Sequence, residues 1–141
     1  SEEDEARVLQ SLLANTGTDP REVDFVSAHA TSTQKGDIAE IRALKKVFGA
    51  HVRKLKINAP KSMLGHSLVS ASTVETVAAV LQMQAGMLHP SINITQQDAE
   101  IDLDVCAGGA TPHPVRCLVK NAFGFWGINS ACLIKCFDGS R

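Results

Sequence analysis

Helix-like and strand-like segments alternate along the chain, and this alternation restricts the folds that the sequence can form. Apolar residues at helical spacing predict three helices, over residues 2–15, from about 37 to 48, and from about 68 to 84. Short β-branched and apolar runs predict four strands, at residues 23–29, 54–59, 116–122 and 130–137. The order helix, strand, helix, strand, helix, strand, strand predicts an α/β sheet with mainly parallel pairing and an antiparallel edge. Since the chain opens on a helix, we expect an upstream segment or another chain to complete the sheet.

The helices and the long connection carry more local predictions. In the third helix, four apolar residues are expected to face the core: Val74, Val77, Val80 and Leu81. At the start of the second helix, Asp37 and Glu40 have the spacing of a capping box, which satisfies free backbone N–H groups. The segment from about 86 to 114 is rich in Pro, Asn and Asp and is predicted to be a loop.

The four cysteines form no CxxC pair, and no second cluster completes a zinc site. They are Cys106, Cys117, Cys132 and Cys136. Cys132 and Cys136 have even spacing on a predicted strand, so both are expected on one face as small core residues. Buried, reduced thiols of a cytoplasmic-type protein are the expectation, and a metal or disulfide role is the alternative.

Charge and hydropathy argue against several kinds of partner. The formal net charge is −1, which leaves no basic surface for nucleic acid. No apolar run reaches the roughly 18 residues that a membrane span needs. The acidic start, Ser1-Glu2-Glu3-Asp4-Glu5, is unlike a signal or transit peptide, so a cytoplasmic location is expected.

Three short segments, each near the end of a predicted strand, hold the residues with chemical potential. They are 29–33 (His-Ala-Thr-Ser-Thr), 61–66 (Lys-Ser-Met-Leu-Gly-His) and 121–129 (Asn-Ala-Phe-Gly-Phe-Trp-Gly-Ile-Asn). Sites in open α/β sheets form at the carboxyl ends of strands, so His29 and His66 are expected to converge. Singly, each segment also has a structural interpretation: a histidine satisfied within the fold, a turn of hydroxyl residues, or a hairpin tip with aromatic core residues.

Together, the three segments resemble the β-ketoacyl synthases, whose motifs are His-Gly-Thr-x-Thr, Lys-Ser-x-x-Gly-His and Gly-Phe-Gly-Gly-x-Asn in this order. The resemblance covers nearly the whole chain. It implies the thiolase fold, in which two similar α/β halves pack back to back, with residues 1–141 as the C-terminal half. The half that carries the nucleophilic cysteine would then be absent from this chain, because none of the four cysteines lies at a strand-to-helix elbow.

The resemblance also implies a reaction and the residues that perform it. These enzymes join an acyl thioester to a malonyl thioester by decarboxylative Claisen condensation. The implied catalytic residues are His29, His66, Lys61 and Glu75. Two imidazoles that meet one thioester oxygen can stabilise the enolate that decarboxylation leaves. A Lys61–Glu75 pair would hold charges near His66 and bias its protonation.

By the same resemblance, a second group of residues contacts the substrate. Thr31 and Thr33 would bind the phosphopantetheine arm of an acyl carrier protein. Phe125 would gate the acyl pocket and supply one oxyanion-hole N–H, with Gly127 and Asn129 in the same loop. The chain is expected to bind no cofactor or metal of its own. Its expected partners are the cysteine-bearing half, the acyl carrier protein, and a second complete unit in a dimer.

Two positions depart from the family pattern, and three other functions stay open. Ala30 and Trp126 stand where the family usually has glycine. The methyl group of Ala30 is expected to be tolerated unless φ is positive there, and Trp126 to stiffen the gate or reshape the pocket. The alternatives are a non-catalytic subunit that sets chain length, an acyl-binding domain without decarboxylation, and a thiolase. Both histidines are present and the hairpin tip has no cysteine, which favours the condensing enzyme.

Overall fold

A four-stranded sheet forms the centre of the chain. The structure is a computed structural model that describes residues 1–137 and 139. The strands are β1 (Phe25–Ser27), β2 (Lys56–Asn58), β5 (Cys117–Phe123) and β6 (Asn129–Lys135). They lie in the order β2-β1-β5-β6, with parallel pairing of β1 to β2 and β5, and antiparallel pairing of β5 to β6. The predicted mainly parallel sheet with an antiparallel edge is confirmed.

Helices cover both faces of this sheet. They are α1 (Glu2–Thr16), α2 (Gln34–Phe48), the single turn α3 (Lys61–Leu64) and α4 (Ala71–Ala85). Side chains alternate between faces along each strand, so Val26 and Val119 pack with α1 and α2, whereas Phe25 and Leu118 pack toward α4. The sheet therefore has an apolar layer on each side, as its alternating sequence predicts.

The connection between α4 and β5 contains a small second sheet. Strands β3 (Met87–Leu88) and β4 (Thr111–Pro112) pair antiparallel. The rest of this segment runs without helix or strand, as its composition predicts. Its carboxyl end leads into β5, the strand that lies between β1 and β6.

The predicted inward face of α4 is wrong. Val74, Val77 and Leu81 are exposed, at 43%, 56% and 58% of their surface, and Val80 is half-buried. The buried side is instead small or polar, and consists of Ala71, Glu75, Ala79 and Gln82. Helical spacing identifies an apolar stripe but not the body that covers it. Here the small side of the helix is the buried one, and it carries the Glu75 carboxylate into the interior.

The start of α2 also differs from the prediction. The helix begins at Gln34 after Thr33, whose side chain makes no capping bond. Glu40 is buried and its carboxylate accepts the backbone N–H groups of His29 and Ala30, so it does not form a capping box with Asp37. Burial and the nearby Glu40 carboxylate raise the pKa of Asp37.

The cysteines fall into two pairs with different surroundings. Cys106 and Cys117 are buried, and burial raises the pKa of each thiol to about 11. Cys132 and Cys136 are exposed, so their predicted core placement is wrong. Cys132 lies in β6, the strand at the edge of the sheet, and Cys136 follows the end of that strand.

Two classes of feature are missing from the described residues. Among residues 1–137 and 139, no three His, Cys, Asp or Glu side chains are grouped so that they could hold a metal ion. No helix in that part of the chain is both long and apolar enough to cross a membrane.

Candidate active site

Two parallel strand ends bring two histidines together. β1 ends at Ser27, two residues before His29, and β2 leads through α3 to His66. The two imidazole ring centroids lie 6.1 Å apart, and the rings are nearly perpendicular at 88°. On its other side, the ring of His29 contacts Phe123 at the end of β5, with centroids 5.9 Å apart. The convergence expected from the strand-end rule is therefore present.

A buried ion pair lies beside these rings. Lys61 on α3 places its Nζ atom 2.8 Å from Oε1 of Glu75 and 3.0 Å from its Oε2. The same ammonium donates to the backbone oxygen of His29 at 2.5 Å and lies 3.4 Å from its Nδ1. Glu75 reaches this position because α4 turns its small, polar side toward the sheet. The structure thus joins the predicted pair, and joins it to His29 more directly than to His66.

Lys120 is a third charged residue in this cluster, and sequence reasoning missed it. It lies in the middle of β5, is only 2% exposed, and holds its Nζ 2.7 Å from Oε2 of Glu75. It also donates to the backbone oxygen of Asn121. A lysine within an otherwise apolar and buried strand is the signal that could have revealed it, since buried lysines are almost always paired.

Glu40 fixes the backbone of the first motif. Its carboxylate accepts the N–H groups of His29 and Ala30, both at 2.9 Å, and the side-chain amide of Asn121 at 2.8 Å. Hydrogen bonds to an ionised carboxylate are among the stronger ones in proteins. Glu40 therefore holds the turn that carries His29 against the end of β5. The sequence pattern predicts a capping role for Glu40 and not this one.

The polar contacts also define the tautomers of the two rings. An ammonium has only N–H donors, so the Nδ1 of His29 beside Lys61 must accept and the proton lies on Nε2. The Nδ1 of His66 accepts the backbone N–H of Leu68 at 3.2 Å, so a neutral His66 also carries its proton on Nε2. Burial, reinforced by the charges of Lys61 and Lys120, lowers the pKa of His29 to about 4. His29 is therefore neutral at pH 7, with one N–H to donate.

The remaining predicted residues lie around this cluster in two groups. Thr31 and Thr33 have hydroxyl oxygens 3.3 Å apart in the turn that precedes α2. Phe125 and Gly127 bound a single helical turn at the tip of the β5–β6 hairpin, and Asn129 begins β6. Phe125 is 90% exposed, so the hairpin tip joins the cluster through Phe123 and its contact with His29.

The two residues that stand where the family usually has glycine adopt backbone conformations that favour glycine. Ala30 has φ +34° and Trp126 has φ +62°. A side chain at positive φ costs roughly 1–2 kcal/mol, because its Cβ crowds the following carbonyl oxygen. Because φ is positive at residue 30, the methyl group of Ala30 is expected to destabilise the fold relative to glycine. Trp126, 99% exposed, combines this strain with a bulky side chain at the tip.

Replacing Ala30 with glycine is expected to stabilise the protein by about 0.5–1 kcal/mol, because the strain is removed at a small entropic cost. Urea unfolding of the wild type and the variant measures this difference. Ala14→Gly is the matched control: Ala14 is an exposed residue of α1, where the same change should destabilise by about 0.5–1 kcal/mol. Equal destabilisation by both changes would contradict the assigned conformation.

The sequence of this chain is similar to those of known condensing enzymes. A family model described as "Beta-ketoacyl synthase, C-terminal domain" matches residues 1–95. A chloroplastic 3-oxoacyl-[acyl-carrier-protein] synthase I of Arabidopsis thaliana is 42% identical over 92% of this chain and 27% of its own length. A 3-oxoacyl-[acyl-carrier-protein] synthase 2 of Coxiella burnetii is 37% identical over 92% of this chain and 32% of its own length.

Solved structures agree with the sequence relatives. A ketosynthase complex, described as a type II polyketide synthase acyl-carrier protein with its ketosynthase bound to the hexaketide, matches with a TM-score of 0.93 and 33% identity. That match covers 98% of this chain and 34% of the other. The ishigamide ketosynthase/chain length factor matches with a TM-score of 0.91 and 32% identity, over 97% of this chain and 34% of the other. The chain thus spans about a third of the length of these proteins, or less.

Proposed function

The chain belongs to the β-ketoacyl synthase family, and from this membership we propose that it supplies the histidines of a decarboxylative Claisen condensation. The observation that carries the proposal is the meeting of two imidazoles, 6.1 Å apart, over a buried Lys–Glu pair. Each ring carries its proton on Nε2, so both can donate to one oxygen. In this proposal residues 1–141 form the C-terminal half, and a cysteine-bearing half completes the enzyme.

The proposed reaction begins with an acyl group held as a thioester on the cysteine of the other half. The malonyl thioester then binds with its carbonyl oxygen facing His29 and His66. Its carboxylate leaves as CO2, and the electron pair of the broken C–C bond forms an enolate whose oxygen accepts both Nε2–H groups. The enolate carbon attacks the acyl carbonyl, a new C–C bond forms, and the cysteine thiolate leaves. Fixed donors in a site that excludes water stabilise this charge far better than water would.

Lys61 acts in this scheme as a positioning residue. Its ammonium donates to the backbone oxygen of His29 and pairs with Glu75, so its hydrogen atoms are engaged within the protein. It therefore orients His29 and selects its tautomer instead of attacking the substrate. Its side chain is buried, which argues against direct contact with a substrate sulfur or carbonyl.

Substrate contacts are assigned to the two exposed segments beside the histidines. Thr31 and Thr33 offer adjacent hydroxyl groups for the amide-rich phosphopantetheine arm of an acyl carrier protein. Phe125 would gate the acyl pocket, with its N–H as one half of an oxyanion hole. Gly127, at φ +76°, allows the tight turn of this gate, and Asn129 anchors its return into β6.

The exposed stripe of α4 is the surface that we assign to the cysteine-bearing half. Val74, Val77 and Leu81 form an apolar strip on the side of α4 that faces away from the sheet. Val69, just before the helix, is 98% exposed and extends this strip. Contiguous exposed apolar surface usually marks an interface, and two similar halves packed back to back would cover it.

Leu81→Ser in the complete enzyme, meaning this chain together with its cysteine-bearing half, is expected to lower the free energy of unfolding by about 2 kcal/mol. The reason is that a buried leucine side chain contributes about 1.5–3 kcal/mol. Urea unfolding measures the change. Gln10→Ser, at an exposed position of α1, is the control and should change stability by less than about 0.5 kcal/mol. Equally small effects would show that the strip stays exposed in the enzyme.

The function itself is tested by giving the complete enzyme an acyl-loaded donor and a malonyl-loaded acyl carrier protein. Release of CO2 together with a β-ketoacyl product supports condensation. Acyl transfer without CO2 release would identify an acyl-binding or transfer domain instead. Neither product would favour the chain-length-setting subunit, the second candidate, for which the likeness to the ishigamide ketosynthase/chain length factor is the supporting observation.

A further inference from the structure

Lys120 is a buried cation that the proposed reaction does not use directly. It lies in β5, the strand between β1 and β6, and contacts Glu75, the carboxylate that also pairs with Lys61. Its remaining hydrogen-bond partner is the backbone oxygen of Asn121. A lysine kept inside a sheet at 2% exposure loses its hydration, so its contacts must supply a comparable stabilisation.

Counting the charges shows what Lys120 contributes. The groups that contact one another or the His29 turn are two ammonium groups, Lys61 and Lys120, and two carboxylates, Glu75 and Glu40. Glu5 and Asp37 also lie near Glu40, but burial raises the pKa of each, which favours their neutral forms. Glu40 accepts hydrogen bonds from neutral donors only, at His29, Ala30 and Asn121. With Lys120 charged, the four groups sum to zero. Without it, the cluster would carry one uncompensated negative charge in a region where unpaired charges are costly.

We propose that Lys120 is a positioning residue for His29, which it serves by sharing Glu75 with Lys61 and balancing the buried carboxylates. This inference rests on the proposed condensing function and extends it to a residue on a different strand. Glu75, held between the two ammonium groups, keeps Lys61 against the backbone and Nδ1 of His29. Without Lys120, the Glu75 carboxylate would have Lys61 as its one cationic partner among the described residues.

The charged groups around His29 determine whether removing the charge of Lys120 raises or lowers the pKa of His29. Lys61 approaches from α3, Lys120 from β5, Glu75 from α4 and Glu40 from α2, and His66 faces the ring from the segment after α3. Burial and then the two lysines lower the pKa of His29, whereas Glu75 raises it. Removing the charge of Lys120 therefore favours protonation of His29, which would block Nδ1 from accepting.

The test compares Lys120→Met, Lys120→Arg and Lys135→Met in the complete enzyme. Malonyl decarboxylation is followed from pH 4 to pH 8, and the His29 ring is titrated by NMR. In the wild type, the acid limb is expected near the pKa of about 4. Lys120→Met should move both the limb and the ring titration upward by about one pH unit, since one unit corresponds to about 1.4 kcal/mol of charge interaction. Lys120→Arg keeps the charge and should leave both in place.

Lys135→Met is the matched control, because this lysine lies on the neighbouring strand in an exposed pair with Glu22. It should change neither readout. An unmoved limb and an unmoved ring titration in Lys120→Met would overturn the proposal, as a merely structural lysine would affect stability alone. If Lys120→Met fails to fold, Lys120→Gln takes its place. A shifted ring titration in Lys120→Arg would contradict the charge argument, because this variant keeps the positive charge. A wild type without decarboxylation would refute the proposed function, while the ring titration would still decide the role of Lys120.

Discussion

Replacing His66 with alanine in the complete enzyme is expected to slow malonyl decarboxylation by about 100- to 1,000-fold. This is the usual loss when one preorganised donor to a developing oxyanion is removed. His29→Ala is expected to have an effect of the same order, because the two rings face one site from strand ends that meet. Release of CO2 from malonyl-loaded carrier protein measures the rate directly.

Acylation of the cysteine on the other half is the internal control for both variants. It precedes decarboxylation and involves the gate and the thiolate, so it should remain largely intact. His51→Ala is the matched variant, because the Nε2 of His51 bonds to the backbone oxygen of Val23, remote from the cluster. Carbon–carbon bond formation at the normal rate in either His66→Ala or His29→Ala would refute the assignment.

The second large effect is expected from Glu75→Gln, which should destabilise the complete enzyme by about 3–5 kcal/mol. Removing one member of a buried ion pair leaves its partners charged and unpaired. Here two ammonium groups, Lys61 and Lys120, would lose the same carboxylate at once. The midpoint of urea unfolding measures the change in stability.

Glu22→Gln provides the comparison for this variant. Glu22 pairs with Lys135 at 2.9 Å, but both side chains are more than two-fifths exposed. Exposed pairs contribute between about 0 and 1 kcal/mol, so this change should be small. If the two glutamine variants lost similar stability, the cluster around Glu75 would have to be hydrated in the enzyme and not buried as the structure shows.

The sheet could be predicted from the sequence because its signals are local. Strand runs, helical stripes and their order each depend on a few neighbouring residues, and a parallel sheet with an antiparallel edge follows from that order. The faces that depend on a distant covering body could not be predicted. The pattern predicts Leu81 as a core residue of α4 and Cys132 as a core residue of β6, yet both are exposed in the part of the chain that the structure describes.

The candidate site was predictable only in part, for a related reason. The histidine motifs and the Lys61–Glu75 pair are carried by the family resemblance, and their catalytic roles stay a prediction. Glu40 and Lys120 were missed because each has an ordinary local interpretation, as a cap or as one polar residue in a strand. Their meaning lies in partners far along the chain: Glu40 and Asn121, for instance, are 81 residues apart. Only the folded topology brings such charges to one place.

That long reach has a consequence for how the protein is made. Contacts within the cluster close loops of 14, 32 and 81 residues, and such contacts form slowly because loop closure costs entropy before it is repaid. While a ribosome has delivered only the helices through α4, Lys61 and Glu75 exist but the lysine and asparagine of β5 do not. At that stage the acidic residues of the cluster, Glu40 and Glu75, outnumber its lysines, and the sheet still lacks β5 and β6. Arrival of β5 supplies Lys120 and Asn121 and so completes the charge balance, and β6 then adds the antiparallel edge of the sheet.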